Sequence, residues 1–311
     1  MNNETKFDPS RTGASTRIGV AGASGKLGSL VLDGLLKVTL PDQLAAIVRS
    51  PERAARFASR GVQVRRGDYS DRETLIPALA GIQRLLLISA TDLGRRVEQH
   101  QSVIQAARAA GVEHIVYTSV LRADTSTLPI ADEHRETEDL LRTSGLTYTI
   151  LRNGWYIENY TERLEMPLAH GGFIGAAQTG KIAAATREDY AEAAVAVLMS
   201  GGHEGKTYEL AGDYGFTMKD LADAVSGWAG TTLPYTDLPP AEYRKILGSA
   251  GLPDAIVDLL VATDVAIAHG DLNSDSRDLH NLIGRHTRTL RDVLTNLAKP
   301  EARSGAALWA R

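Results

Sequence analysis

Arg17-Ile-Gly-Val-Ala-Gly-Ala-Ser-Gly-Lys-Leu-Gly28 is the most informative segment of this chain of 311 residues. Its apolar beginning predicts a first β-strand that ends at Gly22, and the apolar spacing after it predicts a helix that continues to Lys37. Gly22 permits a tight turn out of the strand, and Gly25 lets backbone N–H groups approach a pyrophosphate closely. Gly28 lets the helix lie close against the sheet, with its N-terminus directed at the phosphates. The G-x-x-G-x-x-G spacing therefore favours a dinucleotide-binding turn, and an ordinary glycine-rich βα turn is the alternative.

The bulk composition excludes several classes of function. A formal net charge of −4 gives no reason to expect nucleic acid or an anionic membrane as a partner. The chain contains no cysteine, which excludes disulfides, thiol catalysis and cysteine metal sites. Residues 1–15 are polar and read as a flexible leader, not a secretory signal, and residues 298–311 as a weakly ordered tail. Because no apolar run is long enough to span a bilayer, we expect a soluble cytoplasmic protein without membrane insertion.

Apolar runs alternate with helical patterns through the first half of the chain. Six of them predict strands, at residues 18–22, 44–48, 62–64, 85–89, 114–119 and 146–151. Helices joined to strands by short connections favour an α/β fold with a Rossmann-type, doubly wound parallel sheet. Ligands of such sheets bind across the carboxyl ends of the strands, so the residues that follow each strand are the candidates for function.

The second half is less regular. Helical patterns at residues 187–199, 217–228, 240–247 and 253–268 surround one predicted strand at 207–210. We expect an NADP-binding Rossmann domain over residues 16–153, to which 186–211 return. Residues 154–297 are predicted to form a smaller, mainly helical substrate-binding region that closes over the cofactor domain.

Arg49 is the most informative single position for the cofactor. It follows the second strand, where NAD-binding proteins carry an acid that bonds the ribose 2′-hydroxyl. An arginine pairs instead with a 2′-phosphate, which a carboxylate would repel. We therefore predict NADP(H), the alternative being a solvated surface arginine.

Two further loops are candidates for cofactor contacts. Asp68, after the third strand, could accept a hydrogen bond from the adenine amino group, or it could cap the helix that begins near Arg72. Asp71 competes for that capping role. Ser89 and Ala90 lie at the carboxyl end of the fourth strand, where small residues allow the backbone to pass close to the ribose and nicotinamide.

The sequence lacks the tyrosine–lysine pair that many related enzymes use for acid–base catalysis. Epimerases and alcohol dehydrogenases of this architecture need a tyrosine four residues before a lysine, and none of the ten tyrosines has one. Tyr148 precedes Arg152 by four, but it lies inside the predicted sixth strand, where the two are separated along the strand. Acceptors that are already electrophilic, such as quinones, need positioning above the nicotinamide more than an acid.

The residues after the sixth strand are candidates for that positioning. Trp155 and Tyr156 could form a flat aromatic wall, and Asn153 could bond the nicotinamide amide or a substrate oxygen; packing anchors between the two regions are the alternative. His134 and Glu138 lie on one helical face, where His134 could hold the nicotinamide ribose or donate a proton, or form a surface contact.

Other chemistries lack their motifs. No Ser or Thr follows Lys26, so the glycine turn is not a P-loop, and no G-x-S-x-G elbow supports serine hydrolysis. His170, His203, His269, His280 and His286 show no metal-ligand spacing, and we predict no metal.

Seven short stretches carry a family resemblance. They are Gly22-Ala-Ser-Gly-Lys-Leu-Gly28, Ala46-Ile-Val-Arg49, Leu85-Leu-Leu-Ile-Ser89, Ala131-Asp-Glu-His134, Leu151-Arg-Asn-Gly-Trp-Tyr156, Phe173-Ile-Gly-Ala-Ala177 and Gly202-His-Glu-Gly205. Through them the chain resembles the NmrA-like branch of atypical short-chain dehydrogenases/reductases, from Ile18 to about Leu297. Related isoflavone-reductase-like enzymes have a catalytic lysine where this chain has His134, so their mechanism is not carried over.

The resemblance implies NADPH binding, a quinone pocket between the two regions and direct hydride transfer. The residue patterns and the resemblance together predict cofactor contacts at Gly22, Ala23, Ser24, Gly25, Lys26, Leu27, Arg49, Asp68, Ser89, Ala90 and Asn153. They predict substrate contacts at Asn153, Gly154, Trp155 and Tyr156. The same branch includes regulators that bind dinucleotide as a redox signal, with a protein partner and no turnover. A third possibility is reduction of dyes or other conjugated electrophiles.

Overall fold

The computed structural model describes residues 17–299. The predicted leader, and residues 300–311 of the predicted tail, therefore lie outside the described residues. The chain divides into two compact units. Of the described residues, the first contains 17–154 together with Arg187–Ala211 and Ser274–His286. The second contains Trp155–Thr186, Gly212–Asn273 and residues 287–299.

A seven-stranded parallel sheet forms the centre of the first unit. Numbered along the chain, its strands are β1 (Ile18–Ala21), β2 (Leu44–Val48), β3 (Gln63–Arg66), β4 (Arg84–Leu87), β5 (His114–Val120), β6 (Thr147–Asn153) and β8 (Thr207–Leu210). Their order across the sheet is β3-β2-β1-β4-β5-β6-β8, and every neighbouring pair is parallel. The strand order reverses between β1 and β4, which confirms the predicted doubly wound Rossmann-type sheet.

Helices cover the sheet because its central strands are apolar on both faces. Ile47, Leu85 and Ile115 belong to one core cluster, while Leu86 and Val116, on the other face, are equally buried. The helices of this unit are α1 (Lys26–Leu35), α2 (Ala55–Ala58), α3 (Arg72–Leu79), α4 (Arg96–Ala109), α5 (Ala131–Thr143), α8 (Arg187–Met199) and α12 (Asp278–Ile283). Short 3-10 helices at Pro41–Gln43 and Pro51–Ala54 precede β2 and α2.

The second unit is mainly helical. Its helices are α6 (Glu158–Thr161), α7 (Glu165–His170), α9 (Met218–Ala229), α10 (Pro240–Ser249), α11 (Asp254–Ala268) and α13 (Leu290–Asn296). Two strands of three residues each, β7 (Phe173–Gly175) and β9 (Tyr235–Asp237), pair in parallel. The sequence pattern does not reveal this pair, because runs of three residues show no measurable alternation.

Several boundaries differ from the sequence predictions by a few residues, among them the fourth strand, which ends at Leu87. Ser274–His286 joins the first unit rather than the smaller region. The reason is that the Glu209 N–H of edge strand β8 donates to Asp278 Oδ2 at 2.9 Å, and α12 packs against α8. The sixth strand continues two residues beyond the predicted end, so that Asn153 pairs with Val120 of β5. Within residues 17–299, no helix combines the length and apolar character needed to cross a membrane.

Candidate functional site

The glycine turn after β1 is built from three close backbone contacts. Gly22 has a φ of +81°, and its N–H donates to Ile47 O of β2 at 3.1 Å. The Gly25 N–H donates back to Gly22 O at 3.0 Å. A Cβ on Gly28 would lie only 2.4 Å from Gly22 O, so the start of α1 lies against the turn with no room for a side chain. Gly22 and Gly28 thus make the tight turn and the close approach that their spacing predicted.

The N-terminus of α1 presents backbone donors at this turn. Gly25 is the N-cap, no side chain caps the helix, and the first turn carries no acidic residue. Ala23 and Leu27 are buried, whereas Gly25 and Lys26 are exposed, and Ser24 is half-buried. The positive end of the helix dipole is therefore arranged to receive an anion.

Arg49 follows β2 directly and its side chain is exposed. Both the Gly22 and Ala23 N–H groups donate to Ile47 O, two residues before Arg49, so this residue lies beside the glycine turn. Among residues 17–299, the Arg49 guanidinium has no ion-pair or hydrogen-bond partner, which leaves its planar donor groups available to a phosphate.

Asp68 makes a turn of its own after β3. Its Oδ1 accepts the Ser70 N–H at 3.0 Å, and its own N–H donates to Thr74 Oγ1 at 2.9 Å. Asp71 occupies the N-cap position of α3, but its side chain makes no capping bond. Asp68 is therefore not the helix cap, and the adenine contact stays a prediction.

Ser89 and Ala90, after β4, are held by side chains from other elements. The Ser89 N–H donates to Thr118 Oγ1 at 2.9 Å, and the Ala90 N–H donates to His100 Nε2 at 2.8 Å. Arg96 Nε donates to Ala90 O at 2.7 Å. Neither His100 nor Arg96 is among the residues predicted from the sequence. Both lie on α4 and are buried, although the helical pattern predicts that such polar residues face solvent.

His134 lies in a buried cluster rather than on the surface of α5. It is 4% exposed, and its Nδ1 lies 2.7 Å from the hydroxyl of Tyr117, another buried side chain. Burial, helped by Arg96 and His100, lowers the pKa of His134 well below its usual value. The ring is therefore neutral, which suits a hydrogen-bonding role and makes it a weak acid. Glu138 shares its helical face but pairs with Arg152 instead.

Asn153 ends β6 with one unsatisfied polar atom. Its side chain is buried, and within the described part of the chain Asn153 Oδ1 has no hydrogen-bond partner. An orphaned buried acceptor costs about 1–3 kcal/mol unless a bound donor satisfies it. Gln99 Oε1 and Trp228 Nε1 are likewise unsatisfied, but only Asn153 stands at the end of a sheet strand.

The chain leaves the sheet immediately afterwards. The Gly154 N–H donates to Leu210 O of β8 at 2.8 Å. Trp155 and Tyr156 belong to the second unit, where the Ala185 N–H donates to Trp155 O at 3.1 Å. Both aromatic side chains are partly exposed. Their contact with a substrate stays a prediction.

The carboxyl ends of parallel strands meet at one edge, which brings the predicted cofactor residues together. The glycine turn, Arg49 and Asp68 follow β1, β2 and β3, whereas Ser89 and Asn153 stand at the ends of β4 and β6. They span the position where the strand order reverses. A glycine cradle, an unpaired cation beside it and an orphaned amide oxygen fit a phosphorylated nicotinamide dinucleotide.

Comparison with known proteins agrees with this geometry. A family model described as NAD(P)H-binding matches residues 22–200. Quinone oxidoreductase 2 of Escherichia coli (strain K12) is 49% identical over 280 residues, which cover 90% of this chain and 98% of that protein.

Solved structures extend the likeness to the fold. NADPH-dependent quinone oxidoreductase QOR2 from Escherichia coli, complexed with NADPH, superposes with a TM-score of 0.87 at 48% identity, over 89% of this chain and 98% of that one. Citrobacter sp. triphenylmethane reductase, complexed with NADP(H), superposes with a TM-score of 0.85 at 37% identity, over 90% and 100% of the two chains. The chain therefore belongs to the NAD(P)H-binding, NmrA-like family of oxidoreductases that its sequence resembles.

Proposed function

We propose that this protein is an NADPH-dependent quinone reductase that transfers hydride directly from the nicotinamide to a quinone or a similar conjugated electrophile. The observation that carries the proposal is the 49% identity to Escherichia coli Quinone oxidoreductase 2 along 98% of that protein. The neutral His134 and the absence of a Tyr-x-x-x-Lys pair support an acceptor that needs little protonic assistance.

Cofactor binding is assigned to the carboxyl edge of the sheet. The glycine turn and the N-terminus of α1 hold the pyrophosphate, and Arg49 pairs with the 2′-phosphate. Asp68 bonds the adenine, while the backbone of Ser89 and Ala90 passes the ribose and nicotinamide. Asn153 Oδ1 accepts a hydrogen bond from the nicotinamide end, which would satisfy its orphaned oxygen.

The bound cofactor would supply the hydride, and the residues of the chain position the acceptor. Asn153, Gly154, Trp155 and Tyr156 hold the flat acceptor, with the aromatic rings stacking on it. Hydride addition to a quinone gives a delocalised anion, which water can protonate. His134 acts as a hydrogen-bonding neutral ring near the nicotinamide ribose.

The test is NADPH consumption by the purified protein, with and without simple quinones, and with NADH in parallel. Quinone-dependent turnover that favours NADPH supports the proposal. Tight NADPH binding without turnover on quinones or conjugated dyes would favour the redox-sensing regulator and a search for its protein partner. Turnover with dyes but not with quinones would change the proposed substrate from a quinone to another conjugated electrophile, and the proposed cofactor would stay the same.

A further inference from the structure

His100 occupies a buried position beside the predicted cofactor loop. It is 0% exposed on α4, and its ring stacks edge-on against Tyr117, with ring centroids 5.3 Å apart. Its two ring nitrogens contact two different segments of the chain. His100 Nε2 lies 2.8 Å from the Ala90 N after β4, and Nδ1 lies 3.0 Å from Thr137 Oγ1 on α5.

These contacts fix the tautomer of the ring. A backbone N–H can only donate, so His100 Nε2 must be unprotonated to accept from Ala90. Nδ1 then carries the proton and donates to Thr137 Oγ1. The Thr137 hydroxyl in turn donates a hydrogen bond to Glu133 O at 2.8 Å. The ring is therefore a fixed acceptor for Ala90, oriented from behind by a second hydrogen bond.

The carbonyl of Ala90 is secured from the same helix. Arg96 Nε donates to Ala90 O at 2.7 Å, and Arg96 Nη1 donates to Glu133 Oε2 at 3.0 Å. Glu133 Oε1 also accepts the Gly94 N–H at 2.8 Å. Both polar groups of the Ala90 backbone are thus bonded to side chains of α4, and α5 anchors the arrangement through Glu133.

We propose that His100 is a positioning residue for the cofactor: by accepting the Ala90 N–H, it holds the Ser89–Ala90 backbone in the orientation that receives the nicotinamide ribose. The inference rests on the proposed NADPH site. His100 acts through the loop and is not a catalytic residue. Removal of the acceptor leaves the Ala90 N–H unpaired and lets the loop leave its binding geometry.

His100 Nε2 stays unprotonated, and can therefore accept the Ala90 N–H, at neutral pH. The charged or titratable groups that face His100 are Arg96 on its own helix, His134 on α5, Tyr117 on β5 and Tyr69 after β3. Burial first, and then the positive charge of Arg96, lowers the pKa of His100 to about 3. The imidazolium, which could not accept from Ala90, is therefore excluded at neutral pH.

The decisive comparison is His100→Gln against His100→Met. The two replacements have similar length and shape, but only glutamine can place an oxygen where Nε2 accepts from Ala90. NADPH dissociation constants are measured by fluorescence titration without any acceptor, and hydrogen exchange is followed in peptides covering 84–92. We expect His100→Met to weaken NADPH binding about tenfold or more and to speed exchange in that segment, with His100→Gln close to wild type.

Equal NADPH affinity in the two variants, or a lower melting temperature in both without a change in affinity, would overturn the proposal. A measurement on the unaltered protein covers the case in which His100→Met does not fold. The Ala90 amide and the His100 Nε2 resonances should show a coupling across their hydrogen bond and shift together on addition of NADPH. If neither the Ala90 amide nor the His100 Nε2 resonance shifted on addition of NADPH, the proposal would also be overturned. Normal NADPH binding without quinone turnover would instead reject only the proposed reaction.

Discussion

Arg152 and Glu138 form a bidentate ion pair between β6 and α5. Arg152 Nε donates to Glu138 Oε1 at 2.9 Å, and Nη2 donates to Oε2 at 2.8 Å. Their side chains are 7% and 1% exposed. Burial alone raises the pKa of Glu138, but hydrogen bonds from Arg152 and Ser119 bring it below its usual value. The pair fixes the end of β6, where the chain continues into Asn153.

Replacement of Arg152 by Met should lower the free energy of unfolding by about 1–3 kcal/mol, because it leaves the buried Glu138 carboxylate with only Arg142 and Ser119 as partners. The double variant Arg152→Met, Glu138→Met should recover part of this loss. Urea unfolding midpoints without ligand give both values. If the double variant were less stable than the single one, the loss of Arg152 as a partner of Glu138 would not be the cause.

Arg49→Asp should reverse the preference between the two nicotinamide cofactors. The carboxylate repels a 2′-phosphate and can bond a 2′-hydroxyl, and loss of charge-assisted hydrogen bonds costs about 1.5–3 kcal/mol, or about 10- to 150-fold. Ratios of kcat/KM for NADPH and NADH check this. Arg108→Asp, the same change at the exposed C-terminal end of α4, is the control and should leave the ratio unchanged. An unchanged ratio in Arg49→Asp would remove Arg49 from the site.

Gly28→Ala should damage the cofactor turn, whereas Gly227→Ala should not. The new Cβ at Gly28 would lie 2.4 Å from Gly22 O, but at Gly227, also inside a helix, nothing lies within 4 Å. We expect a loss of about 1–3 kcal/mol and weaker NADPH binding in the first, and a gain of about 0.5–1 kcal/mol in the second. Thermal melts with and without NADPH measure both effects. Wild-type binding by Gly28→Ala would contradict the close packing.

Asn153→Leu should separate stability from binding. The change removes an acceptor that has no partner within the described residues, so the ligand-free protein should be as stable as wild type or more stable. NADPH should then raise the melting temperature much less than in wild type. Asn281→Leu, at an exposed site on α12, is the control. A full NADPH-dependent shift in Asn153→Leu would exclude contact between Asn153 and the cofactor.

Asp264 makes the second unit sensitive to pH. Its Oδ2 accepts the Ala176 N–H at 2.8 Å, and burial raises its pKa to about 6. Because this folded-state pKa exceeds the unfolded value of about 3.9, its contribution to stability is complete below about pH 4 and is lost as pH rises through about 6. Asp264→Asn keeps an acceptor for Ala176 and never ionises.

That variant should therefore melt at a higher temperature than wild type at pH 8, by an amount that corresponds to about 1–3 kcal/mol, and should match wild type near pH 4. Asp258→Asn, an exposed site on the same helix, is the control for the charge change. A constant difference between Asp264→Asn and wild type across this pH range would mean that Asp264 does not titrate there.

Local patterns were enough for the cofactor half of the fold. Apolar runs predicted the central strands, because a strand that helices cover on both faces is nearly continuously hydrophobic. The glycine spacing placed the turn, and the position of Arg49 after β2 followed from the strand boundary alone. These features depend on neighbouring residues, so short stretches of sequence carry them.

Tertiary structure alone brought the buried polar groups together. His100 and Thr137 lie on two different helices, and Ala90 lies in the loop after β4. Arg152, Glu138 and Ser119 lie on three different elements, so no local spacing connects the members of either group. Hydrophobic periodicity predicts which apolar side chains are buried. It assigns polar side chains to the surface, because the partners that allow a polar group to be buried are not visible in a local pattern. Two further features could be seen only in the tertiary structure: Ser274–His286 belongs to the first unit, and β7 pairs in parallel with β9. Both depend on contacts between residues more than 50 positions apart.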